Sequence, residues 1–431
     1  MATITISEAS GHLGEAVTIQ GWLHNARSSG KILFLQLRDG TGVIQAVLSQ
    51  SDNPDLFAVA DRLPRETSLV VTGTLREDKR APTGCELQPT DLRIVHEPTE
   101  PFPIEMTEHT PAFLMDHRHL WIRTGRQVPI LRIRDATFRA FREFFHQHGF
   151  VATEAPILTG TSVEGTTTLF ELDYFDDKAY LGQSGQLYLE ATAMALGKVY
   201  WIGPAFRAEK SKTRKHVTEF WIAEAEMAYV DHAANLDLQE DLVRFIVESV
   251  AEERRAELDR LERDVDLLLG EVRKPFARVD YADAVTILRE KGHDVSFGSD
   301  FGAPEEASLG EHFDGPVFIE RFPVRMKPFY MKRDPLDPER VLAADLIAPE
   351  GYGEIIGGSQ RVDTEEELVA QLEEFSLPIE PYQWYIDLRR YGSVPHSGFG
   401  MGLARVVAWI CGVQHIREVI PFARQINRLY P

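Results

Sequence analysis

Cysteine is almost absent. The 431 residues contain two, Cys85 and Cys411, far apart in the chain. That excludes a cysteine-built zinc site and a disulfide framework, and it reads both thiols as packing residues of a protein from a reducing compartment. Basic charge is also in deficit: 46 Lys and Arg stand against 67 Asp and Glu, a formal net charge of −21. A body of that sign repels polyanions at long range, which argues against nonspecific nucleic-acid binding. No apolar run approaches the length needed to cross a bilayer, and the start, Met1-Ala-Thr-Ile-Thr-Ile-Ser-Glu8, has no basic segment leading into an apolar core. These absences predict a cytoplasmic protein with no membrane partner. The 14 histidines offer no pair at helical metal-ligand spacing beside other ligands, so no zinc is assigned. A Gly-x-Gly-x-x-Gly dinucleotide fingerprint is missing as well.

What is present is an ordinary globular composition, 43% hydrophobic and 26% charged, on a chain long enough for two or more domains. Residues 1–97 read as five short strands, Ala16 to Gln20, Lys31 to Arg38, Val43 to Leu48, Leu69 to Thr74 and Glu86 to Val95, with turn residues Asp39-Gly-Thr-Gly42 between two of them. Five strands at this spacing suit a small barrel of the OB-fold kind. Four prolines between Glu97 and Pro111 then deny donors to any ladder or helix, which marks a linker over 98–120. Beyond it, Leu131, Phe138, Phe141 and Phe145 predict an amphipathic helix ending at Gly149, and Leu238, Leu242, Phe245 and Val250 predict another that continues to Arg263. Strands and helices alternate there without a regular βαβ rhythm. The expected class is α+β, with a mostly antiparallel sheet in 121–431.

Two segments carry chemistry. Phe206-Arg-Ala-Glu-Lys-Ser-Lys-Thr-Arg-Lys-His-Val-Thr-Glu-Phe220 sets a basic loop between apolar, strand-like flanks. A hairpin there would bring Arg207 and Phe220 side by side, one able to pair with phosphate and the other to stack on a base. Taken alone, the same loop reads equally well as a solvated hairpin tip. In Ser397-Gly-Phe-Gly-Met-Gly-Leu-Ala-Arg405, alternate glycines let a ligand or another backbone come close, and an arginine opens the apolar run that follows. A third segment runs from Leu131-Arg-Ile-Arg-Asp135 to Gly149-Phe-Val-Ala-Thr-Glu-Ala-Pro156. Together the three resemble, in order, motifs 2, 3 and 1 of the class II aminoacyl-tRNA synthetases. Gly21-Trp-Leu-His-Asn-Ala-Arg27, Gly30-Lys31, Phe34-Leu-Gln-Leu-Arg-Asp-Gly40 and Gln45 resemble the anticodon-binding OB domain of the aspartyl, asparaginyl and lysyl subgroup. The resemblance thus spans almost the whole chain.

That resemblance implies activation of an amino acid by ATP and Mg²⁺, transfer to tRNA, and a homodimer joined through the motif 1 region. It implies that Arg207 holds the α-phosphate, that His216 and Arg405 approach the β- and γ-phosphates, and that Phe220 stacks on adenine opposite Arg405. Glu209 belongs to the same ATP site, while Asp345 and Glu354 supply oxygen ligands to Mg²⁺. In the first domain, Phe34 would stack on an anticodon base and Arg27 and Gln45 would hydrogen-bond base or phosphate. Leu33 and Leu35 leave the facing of Phe34 open, an inward barrel residue being the alternative. The local excess of basic residues around Arg27 and Lys31, Arg76 to Arg80 and the 210–215 loop lets an acidic body meet a specific tRNA.

Ser184-Gly-Gln-Leu-Tyr-Leu189 matches the asparaginyl pattern, whereas aspartyl members carry proline at position 185 and lysine at 189. Asparagine and its tRNA are the implied substrates. Arg361 would donate to the side-chain oxygen and Glu224 would accept from the amide, a pair that opposes the extra charge of aspartate. Ser184, Gln186 and Glu164, the last in a closing loop, would hold the α-amino end. Two positions depart from the family: Ala404 stands where motif 3 has an acid, and Pro421-Phe-Ala-Arg424 replaces Pro-Phe-Pro-Arg. Three rivals follow: an aspartyl enzyme charging both tRNAs, an asparagine synthetase-like paralogue and a non-catalytic paralogue.

Overall fold

The computed structural model describes residues 2–81, 84–161, 168–211 and 213–431. Its contacts divide into two compact units, Met1–Met115 and Asp116–Pro431. In the first, β1 (Ala2–Ile4), β2 (Ala16–Ser29), β3 (Ile32–Arg38), β4 (Val43–Ser49), β5 (Ser68–Glu77) and β6 (Cys85–His96) form one sheet in the order β1-β2-β3-β4-β6-β5, and β5 returns to pair with β2. The five strands read from the sequence therefore close into a barrel, with the short β1 added parallel to β2. Helix α1 (Pro54–Ala60) follows β4; Asn53 caps it by accepting from the Leu56 amide at 3.1 Å, and Pro54 opens its first turn. Alternation along β3 and β4 turns Leu33, Leu35, Leu37, Ile44, Ala46 and Leu48 into the barrel core. Phe34, Gln36 and Gln45 consequently face outward.

Short helices Pro111–Asp116 and Arg118–Trp121 stand at the end of the segment expected to be a linker, and α2 (Gln127–Gln147) follows, its buried stripe running through Ile130, Ile133, Thr137, Phe141 and Phe144. Leu131 and Phe138, expected on that stripe, lie half-buried at its margin, where Phe138 tilts against Trp221 at 6.0 Å. Gly149, at φ 76°, reverses the chain after the helix. Then come β7 (Val151–Ala152), β8 (Leu158–Thr159), β9 (Glu171–Tyr174), β10 (Asp177–Leu181), α3 (Gln186–Leu196), β11 (Lys198–Phe206) and β12 (Glu219–Ala228). Asp231 caps α4 (His232–Glu253) by accepting from the Ala234 amide at 2.9 Å. The helix expected to run to Arg263 stops earlier: Arg254 leaves helical geometry at φ −118°, ψ 27°, and α5 (Arg255–Arg260) restarts with Leu258 fully buried.

The elements that frame the site are β13 (Ala277–Asp280), β14 (Val317–Glu320), β15 (Arg333–Asp334), β16 (Asp337–Val341), β17 (Ala343–Ala348), β18 (Gly353–Gln360), α6 (Gln383–Arg390), β19 (His396–Gly402) and α7 (Leu403–Cys411), with further helices at Val265–Val272, Tyr281–Glu290, Ala303–Gly310, Glu365–Glu374 and Ile416–Val419. The main sheet runs β13-β14-β17-β18-β19-β12-β11-β7 and is antiparallel except for the outermost pair at each end. Helices α4 and α7 pack on its central strands, leaving the other face to the site. The fold is the expected α+β arrangement of a barrel followed by a helix-flanked antiparallel sheet.

Candidate active site

Alternate residues of β12 face one side of the sheet, so Ile222, Glu224 and Glu226 share a face. Opposite them on β19 stand Gly402, Gly400 and Gly398. The glycine alternation is what gives those side chains room. A Cβ on Gly398 would lie 2.1 Å from Glu226 Oε1 and 2.4 Å from the Ala225 carbonyl, and one on Gly400 would lie 3.0 Å from Ile222 Cδ1. Above this floor is a cleft of about 760 Å³, lined by Ser184, Gln186, Arg207, Glu209, His216, Phe220, Glu224, Asp345, Glu354, Arg361 and Arg405. Glu164 lies outside the described residues.

At one end of the cleft the groups are cationic. Phe220 pairs across the ladder with Ala205, and Arg207 lies one rung beyond the strand, its amide donating to the Thr218 carbonyl at 3.0 Å. The two are diagonal neighbours rather than a direct cross-strand pair, yet the Arg207 guanidinium still lies over the Phe220 ring at 5.5 Å. Arg405, in the first turn of α7, donates to the Glu354 carbonyl at 2.6 Å and approaches Glu354 Oε2 at 3.4 Å. Glu354 thereby orients the arginine that Ala404 cannot. His216 Nδ1 meets the Thr213 hydroxyl at 2.5 Å, and its Nε2 is 4.0 Å from Glu209. Burial, then Arg405, holds its pKa below the ordinary imidazole value.

Asp345 on β17 stands opposite Gly357 on β18. A Cβ on Gly357 would lie 3.2 Å from Glu354 Oε1 and 3.7 Å from Asp345 Oδ1, so both carboxylates converge on the space the absent side chain leaves. Two carboxylates completed by phosphate and water oxygens suit Mg²⁺. Among the described residues no group of three or more His, Cys, Asp or Glu could hold a metal alone. Burial pushes the Asp345 carboxyl up to about 6, against the pull of Lys327. Lys327 Nζ donates to both Asp345 oxygens, at 2.7 and 2.5 Å. Sequence reasoning overlooks this lysine; its only signal is a lone cation inside Met326-Lys-Pro-Phe-Tyr330.

At the other end, Glu224, 4% exposed, accepts from the Ser184 hydroxyl and from the Gly185 amide at 2.7 Å. Gly185 is required there, since a Cβ would lie 2.7 Å from Ala155 and 2.8 Å from Trp201. Gln186, expected at the α-amino end with Ser184, donates its side-chain amide to Glu190 at 3.1 Å. Arg361 is 2% exposed and already held: Nε lies 3.2 and 3.3 Å from the Glu226 oxygens, Nη2 donates to Glu226 Oε1 at 2.5 Å and Nη1 to Ser359 at 2.7 Å. Glu190, fully buried on α3, accepts from Arg389 Nη2 at 2.6 Å and from the Tyr385 hydroxyl at 2.8 Å, with His396 Nε2 at 2.9 Å. Burial pushes the Glu226 carboxyl up to about 7 despite Arg361. For Glu190 the same penalty is outweighed by Arg389 and then His396, and its pKa stays well below the carboxylate range. These rear residues are a second omission of the sequence reading. The available signals are Glu224-Ala-Glu226 inside an apolar strand and a glutamate four residues after Gln186.

The first unit has a recess of its own, about 270 Å³, lined by Asn25, Arg27, Phe34, Gln36 and Gln45. Strand register builds it: Arg27 is opposite Phe34, Asn25 opposite Gln36, and Gln36 opposite Gln45. The Arg27 guanidinium lies 5.2 Å from the centre of the Phe34 ring, an aromatic platform with a cation beside it.

A family model described as tRNA synthetases class II (D, K and N) matches residues 110–426, and one described as OB-fold nucleic acid binding domain matches residues 17–95. The chain is 56% identical to an asparagine–tRNA ligase of Pelotomaculum thermopropionicum over 432 residues, covering 100% of each. To the corresponding ligase of Thermus thermophilus it is 53% identical over 436 residues, covering 99% of this chain and 100% of the relative. A solved asparaginyl-tRNA synthetase from Pyrococcus horikoshii, complexed with asparaginyl-adenylate, superposes with a TM-score of 0.94 at 43% identity, covering 99% of both chains.

Proposed function

We infer how this site works from the premise that the chain belongs to the class II tRNA synthetases for aspartate, lysine and asparagine, and within them joins asparagine to tRNA with ATP through an asparaginyl-adenylate. In the first step an oxygen of the asparagine α-carboxylate attacks the ATP α-phosphorus, the bond to the β-phosphate breaks, and pyrophosphate leaves. Negative charge builds on phosphate oxygens, so fixed cations do the catalytic work and no side-chain nucleophile is needed. Arg207 holds the α-phosphate; Arg405 and His216 hold the outer phosphates. His216, with its lowered pKa, acts there as a neutral hydrogen-bond donor more than as a charge. Phe220 and Arg405 sandwich adenine beside Glu209. Asp345 and Glu354 would hold Mg²⁺, which when bound neutralises triphosphate charge. In the second step a hydroxyl of the terminal tRNA ribose attacks the adenylate carbonyl carbon, and AMP leaves.

Selection of asparagine follows from donor and acceptor counts. Arg361 has five N–H groups, of which three are engaged by Glu226 and Ser359; the remainder can donate to the substrate side-chain oxygen. A carboxylate has about four acceptor directions, so Glu224 can take the amide N–H beside Ser184 and Gly185. Aspartate would set an anionic oxygen against Glu224 instead. The observation that carries this reading is that Arg361, Glu224 and the phosphate-binding cations line one continuous cleft. Glu164 keeps the closing role the family resemblance gives it. Arg27, Phe34 and Gln45 read the anticodon. A second copy of the chain covers the motif 1 region, where Ile157 and Leu158 are exposed at 46% and 44% and Trp221, packed on Phe138, at 38%, and the enzyme works in the cytoplasm, in keeping with two buried free thiols. No helix among the described residues is long and apolar enough to cross a membrane.

The test is ATP–pyrophosphate exchange with each amino acid. Glu224→Gln should weaken asparagine activation and narrow the preference over aspartate by roughly tenfold or more. Exchange unchanged for both would remove Glu224 from the role. Sedimentation of the intact protein as a monomer would remove the dimer.

A further inference from the structure

Arg361 reaches the cleft with its charge already answered from behind. Glu226 contacts it directly, and Glu190 lies 4.0 Å from its Nε. Glu190 has no water to help it, being 0% exposed. Its partners are Arg389, 0% exposed at the side chain, the Tyr385 hydroxyl, and His396. His396 Nδ1 is 2.8 Å from the Val394 carbonyl and its Nε2 is 2.9 Å from Glu190. Both partners are acceptors, so only the doubly protonated, positively charged ring can donate to both. Glu190 also accepts from Gln186, which lines the cleft.

The charges in this chain of contacts can be counted. With His396 donating from both nitrogens and the pH above the value of about 7 to which Glu226 is raised, Arg361, Arg389 and His396 are positive, while Glu190 and Glu226 at the rear and Glu224 at the cleft are negative. The side-chain end of the site is electrically even before substrate arrives. A neutral carboxamide keeps it so, whereas a carboxylate adds an unanswered charge in a place with little water to screen it.

We propose that Glu190 is a specificity-determining positioning residue: by completing an evenly charged cluster behind Arg361, it makes the site select a neutral amide over an acid. The inference rests on the asparagine-activating reading above and extends it to a residue that need not touch the substrate. Removing the Glu190 charge leaves one uncompensated cation beside the side-chain pocket. Aspartate should then be better accepted. Removing Arg389 disrupts the same buried cluster but shifts the balance in the opposite direction.

The experiment is ATP–pyrophosphate exchange by the full-length protein at pH 8, with asparagine and with aspartate, for wild type, Glu190→Gln and Arg389→Met. Asparagine activation by wild type tests the underlying reading by itself, and its absence would end both. Given that activity, Glu190→Gln should narrow the asparagine-to-aspartate ratio of kcat/KM by about tenfold, the order expected for one charge acting through a partly shielded interior. Arg389→Met should leave the ratio equal or wider. An unchanged ratio in Glu190→Gln, or equal narrowing in both variants, would mean that Glu190 only props the fold, and the inference would be wrong while the asparagine reading stood. If Glu190→Gln does not fold, Glu226→Gln removes the other rear carboxylate and must narrow the ratio in the same direction; a ratio unmoved there also overturns the proposal.

Discussion

Removing a carboxylate from water penalises its charged form, and three glutamates in the second unit meet that penalty differently. Glu190 is surrounded by donors and stays ionised; Glu226 shares one arginine and is pushed up to about 7. Glu271 is also pushed up to about 7, by burial first and then by Glu350, with Arg263 offsetting part of the rise. Its folded value lies above its unfolded value of 4.5, so between those limits the folded chain keeps a proton that the unfolded chain has lost. The contribution of this group to stability therefore falls as pH rises across that window. Glu271→Gln should raise the melting temperature relative to wild type by about 2 °C or more at pH 8 and by less at pH 5. An identical difference at both pH values would show that Glu271 titrates alike folded and unfolded. At this scale Glu224 and Arg361 are legible from sequence because they sit in a recognisable string. Glu190 and Glu226 are not, since a buried ion pair is defined by partners 135 to 206 positions away.

Between elements, the β12–β19 ladder converts glycine spacing into a binding floor. Gly398 faces Glu226, and the backbone oxygen of Ala225 closes the space on another side. Gly398→Ala should destabilise the second unit by about 1–3 kcal/mol through overpacking and raise KM for asparagine by displacing Glu226 and Arg361. Gly270→Ala makes a fair control, because Gly270 lies on the helix Val265–Val272 and a Cβ there meets nothing within 4 Å. Thermal melts and exchange kinetics on the pair check this, and equal behaviour of the two variants would count against the packing argument. The alternating glycines suggest close approach from sequence alone, but what approaches is fixed by strand register. Facing is likewise a property of the ladder: flanking leucines leave Phe34 undecided until β3 pairs with both β2 and β4.

For the whole molecule, the net charge of −21 and the two separate recesses bear on one reaction. Adenylate chemistry needs only the second unit's cleft, whereas charging also requires tRNA to be gripped against an unfavourable long-range field. Phe34→Ala should therefore raise KM for tRNA, about tenfold if one base loses its stacking platform, and leave tRNA-independent pyrophosphate exchange intact. Loss of both activities in parallel would point to a misfolded barrel. Charging should also weaken only gradually as salt rises, because few basic contacts carry the attraction and salt at the same time screens the repulsion from the acidic surface.

The sequence by itself determined the class of fold, the five barrel strands and the order of the three motifs, and it supplied the residue types proposed to meet ATP and asparagine, because hydrophobic period, turn residues and short motifs are local properties of a chain. Tertiary structure alone decided which way Phe34 faces, where the long helix breaks, that Lys327 holds Asp345, and that Arg361 arrives neutralised by carboxylates from distant strands and helices. Each of these depends on register and burial, which set the distance between charges and the water around them, and neither quantity is written in any local stretch of residues.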